Sequence, residues 1–215
     1  MSRKVAWLWL VLAAGVLAGC ADRNSQVRAV FLLIGPGAPA AESQASVRAV
    51  THALLGHLSP GDYFAVGRAD APHFGPQNIV ARVRLSRRPT IANGQKRMLR
   101  HQIDRLLDAP GGPRGDLTGG LLTAVEFLKN SAAPRRVILI AADLGASGAG
   151  AEGVDFPIQV EGCRVLALDG APPTAAPDDD PPDDPLGFWR RRIVSGGGSW
   201  HPFSDPQQLG ELLAG

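Results

Sequence analysis

The chain has 215 residues, of which 45% are hydrophobic and 20% are charged, with a formal net charge of +2. This length and composition are ordinary for a globular protein with one sizeable core, and they exclude a wholly disordered chain. The 26 glycines and 18 prolines predict many turns and at least one extended linker.

The amino-terminal segment is a basic start followed by an uninterrupted apolar run, Val5–Leu17. This run is shorter than the ~20 residues that span a bilayer and has the length of a signal-peptide core. It ends in Leu17-Ala-Gly-Cys20, which resembles the lipobox of bacterial lipoproteins. The resemblance implies a signal peptide at 1–19, lipidation of Cys20 (palmitate included) and a tether over 20–26. The alternative is an ordinary signal peptide with a chance cysteine.

The lipobox resemblance also implies an address in the bacterial cell envelope. Several acyl chains, at ~0.8 kcal/mol per buried CH₂, would hold the domain on a membrane, facing the periplasm. Because Ala21 rather than an acid follows Cys20, the analogy favours the outer over the inner membrane.

Charge and cysteine content change once the signal peptide is removed. Cleavage takes Arg3 and Lys4 from the 22 basic residues and leaves a balance with the 20 acidic ones. This balance gives no support for a nucleic-acid partner. With Cys20 lipidated, Cys163 has no disulfide partner, and its position at the start of an apolar run predicts a small buried core residue rather than a nucleophile.

Residues 27–215 show alternating strand and helix patterns in chain order. In the third predicted strand, Ile79–Leu85, apolar and polar residues alternate in part, so we expect it to pair antiparallel with the second, Tyr63–Val66. The pattern predicts an α/β fold of three layers, with a mostly parallel central sheet and helices on both faces. A Pro/Asp-rich stretch at 170–185 is predicted to be a disordered loop. The predicted strands are Val27–Ile34, Tyr63–Val66, Ile79–Leu85, Arg136–Ala142, Gly162–Leu168 and Trp200–Phe203; the predicted helices are Glu42–Leu58, Gln95–Leu107, Thr118–Lys129, Leu186–Val194 and Asp205–Leu213.

Three local patterns resemble a von Willebrand factor type A domain. Gly115–Ala124 is similar to the family's threonine loop, and Val137–Asp143 to its fourth strand with a terminal acid. Ser195–Phe203, with the helix after it, is similar to the family's carboxyl-terminal part. The resemblance implies a doubly wound α/β fold and a protein-binding role, often through a metal-ion-dependent adhesion site.

The metal motif of that family is degenerate here. Its Asp-x-Ser-x-Ser would fall on Gly35, Gly37 and Pro39, none of which has a side-chain oxygen. Because Mg²⁺ requires about six oxygen ligands, we expect no bound metal and no cofactor. A metal-dependent adhesion site, the alternative, would use Thr118 and Asp143, with Asp116 as a further candidate ligand. Helix capping is the structural reading for Thr118 and for Asp116.

The family resemblance places a candidate binding rim at the carboxyl ends of the strands, where ligands bind in α/β sheets. We expect a protein-interaction or scaffolding module whose partner is an unidentified envelope protein, and no enzyme activity. The candidate rim residues are Gly35, Gly37, Asp70, Asp116, Thr118 and Asp143.

An enzyme reading uses the same rim. Residues 35–40 match G-x-G-x-x-A after a strand, the dinucleotide-binding fingerprint. Pro36 and Pro39 remove two of the N–H donors that should hold a pyrophosphate. A nucleotide-binding or hydrolytic activity at this rim is therefore the alternative to a binding module.

The densest basic region follows the second predicted strand. It would contact anionic headgroups or an acidic partner, or else form a solvated face with pairs such as Arg100–Asp104. Its members are Arg82, Arg84, Arg87, Arg88, Lys96, Arg97, Arg100 and Arg105.

Overall fold

The computed structural model describes residues 27–35, 41–69, 75–109, 116–142, 144, 158–168 and 185–214. Six strands form one sheet: Arg28–Ile34 (β1), Tyr63–Arg68 (β2), Ile79–Arg84 (β3), Arg135–Ala141 (β4), Cys163–Leu168 (β5) and Ser199–Phe203 (β6). Five α-helices accompany them in these ranges: Ala41–His57 (α1), Pro89–Asp108 (α2), Leu117–Asn130 (α3), Pro185–Ser195 (α4) and Leu209–Ala214 (α5).

The sheet has the strand order β3-β2-β1-β4-β5-β6. The strand β1 is central and pairs in parallel with both β2 and β4, while β3 pairs antiparallel with β2, as predicted. A near-continuous apolar run such as Val30–Ile34 is buried because both faces of β1 are covered. The mixed, mostly parallel sheet with helices on both faces confirms the predicted fold class.

Two hydrophobic cores lie on opposite faces of the sheet. One joins alternate strand residues such as Leu32 and Leu139 to the apolar sides of α1, α2 and α5. The other joins the intervening residues, such as Phe31 and Ile138, to α3 and α4. The alternation follows from the two-residue period of a strand, so the sheet is the middle of three layers.

Two helix predictions differ from the structure. The helix α2 begins at Pro89, six residues before the predicted start at Gln95. Proline fits the first turn of a helix because its missing N–H has no intrahelical partner there. The closing helix is divided into a 3₁₀ turn at Pro206–Gln208 and α5, and Asp205 caps the turn through the backbone N–H of Gln207, 2.8 Å away.

The predicted Arg100–Asp104 pair is wrong. Asp104 instead accepts a hydrogen bond from Arg48 Nη1 at 2.8 Å, and its Oδ1 lies 3.0 Å from His52 Nε2; both partners are on α1. Arg100 lies against His52, with 3.1 Å between its Nε and the ring Nε2. A neighbouring helix therefore takes the carboxylate that an isolated helix would have paired internally.

No helix among the described ranges is long and apolar enough to cross a membrane. The predicted signal segment and tether lie outside these ranges, as does the Pro/Asp-rich loop except for its last residue, Pro185, which begins α4.

Candidate functional site

The end of the sheet where the parallel strands finish, here called the exit rim, is held together by backbone hydrogen bonds. Gly35 N donates to Ala141 O at 3.0 Å, which joins the exits of β1 and β4. Ala69 N donates to Ile34 O at 2.8 Å, and Asp116 N donates to Ala69 O at 2.6 Å. The structure therefore brings together Gly35 and Asp116, two of the predicted rim residues, around the exits of β1 and β2.

Gly35 occupies a position with no room for a side chain. A Cβ atom built there would lie 2.3 Å from Ala142 Cβ and 2.7 Å from Ala142 Cα. Contacts under 3.0 Å are essentially never seen for real Cβ atoms. The family resemblance in the sequence would put the first acid of a metal motif at Gly35. The packing shows that this backbone could not accept an aspartate there.

Asp116 is the N-cap of α3. Its Oδ1 accepts a hydrogen bond from Gly119 N at 2.8 Å, as the capping interpretation predicted. A Cβ atom on Gly119 would lie 2.4 Å from Asp116 Oδ2, so this glycine makes room for the cap. Thr118 is the second helical residue and half-buried, so the cap comes from Asp116 and the capping interpretation of Thr118 is wrong.

The remaining predicted site residues, Cys20, Gly37, Asp70 and Asp143, lie outside the described residues. Within the described ranges, no group of three or more His, Cys, Asp or Glu side chains could hold a metal ion. The rim residues that are described thus offer one carboxylate, and that carboxylate already caps a helix.

The opposite end of the sheet, where β1, β4, β5 and β6 begin, is here called the entry end, and it is rich in basic side chains. Carbonyl groups at the last turns of α1 and α5 accept hydrogen bonds from four of them, which matches the partial negative charge of a helix carboxyl end. The donors and acceptors are Arg28 to His57 O (2.6 Å), Lys96 to Gly56 O (3.3 Å) and to Leu58 O, Arg135 to Ala214 O (3.2 Å), and Arg164 to Leu212 O (2.6 Å).

Asp62 is a buried carboxylate at the entry end, in the turn between α1 and β2. It is 1% exposed and accepts from the Arg28 backbone N–H at 3.0 Å and from the guanidinium at 2.9 Å. It also accepts from Ser59 N at 2.8 Å. The spacing of Ser59 and Asp62 indicates a local turn, but nothing local indicates the contact with Arg28.

Two clefts lie at the entry end rather than at the exit rim. One, of about 520 Å³, is lined by Gln159, Glu161, Arg192 and Ser195 among others. The other, of about 370 Å³, is lined by residues that include Arg136 and the start of β5.

Cys163 lies beside the second cleft but is buried, as the sequence predicted. Burial raises the pKa of its thiol, and the positive charges of Arg136 and Lys129 oppose this only in part. A protonated thiol is a poor nucleophile, so neither cleft offers an activated cysteine.

The fold and the rim together define an α/β domain whose described exit rim is built from backbone groups and small residues. No family model matches the chain, and no curated protein matches it either. Among solved structures the chain is similar to one described as von Willebrand factor type A from Catenulispora acidiphila, with a TM-score of 0.47 and 15% sequence identity. The match covers 87% of this chain and 41% of that one, so the chain spans less than half of that structure's length.

Proposed function

We propose that this chain is an envelope lipoprotein, anchored through Cys20, whose α/β domain binds a protein partner at the exit rim without a metal. One observation carries the metal-independent part: the close approach of Gly35 to Ala142 leaves no space for the first acidic ligand of an adhesion site. The rim offers backbone groups and small side chains, which recognise a partner by shape and hydrogen bonding.

The same geometry favours a binding role over catalysis. Acid–base and nucleophilic catalysis need a titratable or nucleophilic side chain aimed at a substrate. Asp116, the carboxylate of the described rim, is occupied by Gly119 N, and the Cys163 thiol lies at the other end of the molecule. A scaffolding or adhesion module uses neither.

The experiment that tests this proposal is site-specific photo-crosslinking in intact cells. A photoreactive residue replaces Thr118 at the rim, and a matched one replaces Gln102, an exposed residue on α2. We expect a discrete adduct with an envelope protein from position 118 and none from position 102. The same adducts from both positions, or none from position 118, would contradict the rim assignment.

The anchor is tested on the same cells by labelling with a palmitate analogue and separating membranes. Cys20→Ala should abolish the label and release the protein from the membrane fraction. Cys163→Ala, the control, should change neither, because Cys163 is a buried thiol. Label that persists in Cys20→Ala would overturn the lipoprotein assignment.

A further inference from the structure

We propose that the entry end of the domain rests on an anionic phospholipid surface through the loop that joins β3 to α2. The contact surface, here called the basic loop patch, consists of Arg84, Arg87, Arg88 and Ile91. This inference rests on the proposed function, because it takes the chain to be anchored at Cys20.

The topology places this patch beside the point where the tether enters the domain. Tyr63 pairs with Ala29 of β1 on one side and with Arg84 of β3 on the other. Strands lie about 4.8 Å apart, so Arg84 lies on the order of 10 Å from the start of β1. Because β3 is antiparallel, its carboxyl end and the following loop lie at the entry end.

Asp62 fixes the two chain segments to each other. Its side chain accepts from Arg28 N at 3.0 Å, and its backbone carbonyl accepts from Leu85 N at 2.8 Å. The loop beyond Leu85 is held in turn by Ser86 N, which donates to Gln95 Oε1 at 2.8 Å. The patch is therefore presented by an ordered loop next to the first described residues of the chain.

The length of the tether limits how far the entry end can stand from the bilayer. Residues 21–26 separate Cys20 from Val27. A fully extended chain covers at most about 3.3–3.6 Å per residue, so the entry end lies within about 25 Å of an anchored Cys20. The exit rim, at the opposite end of the parallel strands, then faces away from the membrane.

The chemistry of the patch matches anionic headgroups. No Asp or Glu occurs between Asp70 and Asp104, whereas seven Lys or Arg residues do. Arg87 and Arg88 are exposed, and neither forms an ion pair with a described residue. Arg84 is exposed and stacks over the Tyr63 ring at 4.8 Å. Each basic residue near such a surface strengthens binding about fivefold.

An apolar side chain lies among these charges. Ile91, in the first turn of α2, is 48% exposed. A basic surface with an apolar side chain is typical of interfacial membrane contacts, where the chain inserts at the headgroup boundary. Further up the same helix, Met98 is 64% exposed and provides a matched comparison. Asp62, the acid that joins the two chain segments beside the patch, is buried.

The test uses the full chain, purified in its processed form and reconstituted into vesicles. Ile91→Cys and Met98→Cys, each in a Cys163→Ala background, carry an environment-sensitive fluorophore. Vesicles contain phosphatidylcholine alone or with added phosphatidylglycerol. Flotation of the protein with the vesicles measures anchoring. A blue shift of the fluorophore emission, together with quenching by lipid-borne quenchers, measures contact of the labelled position with the bilayer.

We expect the fluorophore at position 91, but not the one at position 98, to shift its emission to the blue on anionic vesicles. High salt should reverse this shift. Arg87→Glu with Arg88→Glu should weaken this contact at least tenfold, while Arg97→Glu with Arg105→Glu, on exposed positions further up α2, should change it less than about twofold. The proposal is overturned if the protein floats but gives equal fluorescence signals at both positions, or signals that do not depend on anionic lipid. Either outcome would favour an acidic protein as the partner of the basic loop patch. Processed protein that does not float overturns the anchor itself.

Discussion

Gly35 shows how a single residue limits the chemistry of the exit rim. A Cβ atom at Gly35 would overlap Ala142, so the exits of β1 and β4 meet with no room for a side chain on Gly35. This contact leaves no room for an acidic side chain at the end of β1. An acid introduced at this position would first have to displace Ala142.

We predict that Gly35→Ala destabilises the domain by about 1–3 kcal/mol, the cost of inserting a methyl group into a packed site. Ala142→Gly in the same chain should recover part of this loss, because it removes the 2.3 Å contact but leaves the 2.7 Å contact with the Cα. Denaturant unfolding of the single and double variants measures both effects. Gly56→Ala is the control, since nothing lies within 4 Å of a Cβ there; equal losses at both glycines would contradict the steric explanation.

At the scale of elements, the packing of α1 against α2 creates polar contacts that neither helix makes by itself. Each helix has an apolar side in its own sequence, and Leu54, Leu99 and Ile103 on these sides are buried. The polar contacts between the helices could not be predicted from either helix alone. Arg48 bridges Asp104 at 2.8 Å and Asp108 at 2.7 Å across a separation of more than 50 residues in sequence.

The network predicts a pH-dependent contribution to stability. Burial raises the pKa of Asp104, but hydrogen bonds and charge from His52 and Arg48 outweigh it, so the pKa lies below its ordinary value. A carboxyl group with a lowered folded pKa stabilises the fold above its unfolded pKa of about 3.9. That stabilisation is lost as the pH falls through the lower, folded pKa.

We therefore expect Asp104→Asn to lower the free energy of unfolding at neutral pH by up to about 1 kcal/mol, a small loss because the groups are partly exposed. The loss should be smaller in acid, where the carboxylate is protonated. Urea unfolding at neutral and acidic pH measures the difference. Asp205→Asn is the control, since Asp205 is exposed and caps the 3₁₀ turn without an ion pair to a described residue. A cost for Asp104→Asn that grows on acidification would contradict the assignment.

At the scale of the whole molecule, the two ends of the sheet carry different chemistry. The entry end gathers basic side chains because helices that follow parallel strands return their carboxyl ends there, and their carbonyl groups accept from Arg and Lys. The exit rim gathers strand exits and the N-terminus of α3. In the proposed arrangement the entry end faces a membrane and the exit rim faces a protein partner.

The proposed metal independence predicts that divalent ions leave the free energy of unfolding unchanged. A ligand that binds only the folded state raises its stability by RT ln(1 + [L]/Kd), about 2.7 kcal/mol at a hundredfold excess over Kd. We expect Mg²⁺, Mn²⁺ or EDTA to leave the thermal midpoint of the full chain unaltered. Stabilisation by micromolar Mg²⁺ or Mn²⁺ that Asp143→Ala abolishes would overturn this expectation and favour the metal-dependent adhesion site.

The sequence by itself determined the order of strands and helices, the antiparallel third strand, the burial of Cys163 and the cap at Asp116. Each of these depends on local periodicity, local turn chemistry or a run of apolar residues, and such signals lie within a few consecutive residues. The start of α2 at Pro89 was missed because a proline is compatible with both a loop and a first helical turn.

Only the tertiary structure decided the contacts between segments that are distant in sequence. The burial of Asp62 under Arg28, the closeness of Gly35 to Ala142 and the bridge from Arg48 to Asp104 each join different elements. No periodic pattern encodes them, because they arise when the sheet sets the register of strands and the position of helices. The same register places the basic loop patch beside the start of β1, although more than 50 residues separate Arg28 from Arg84.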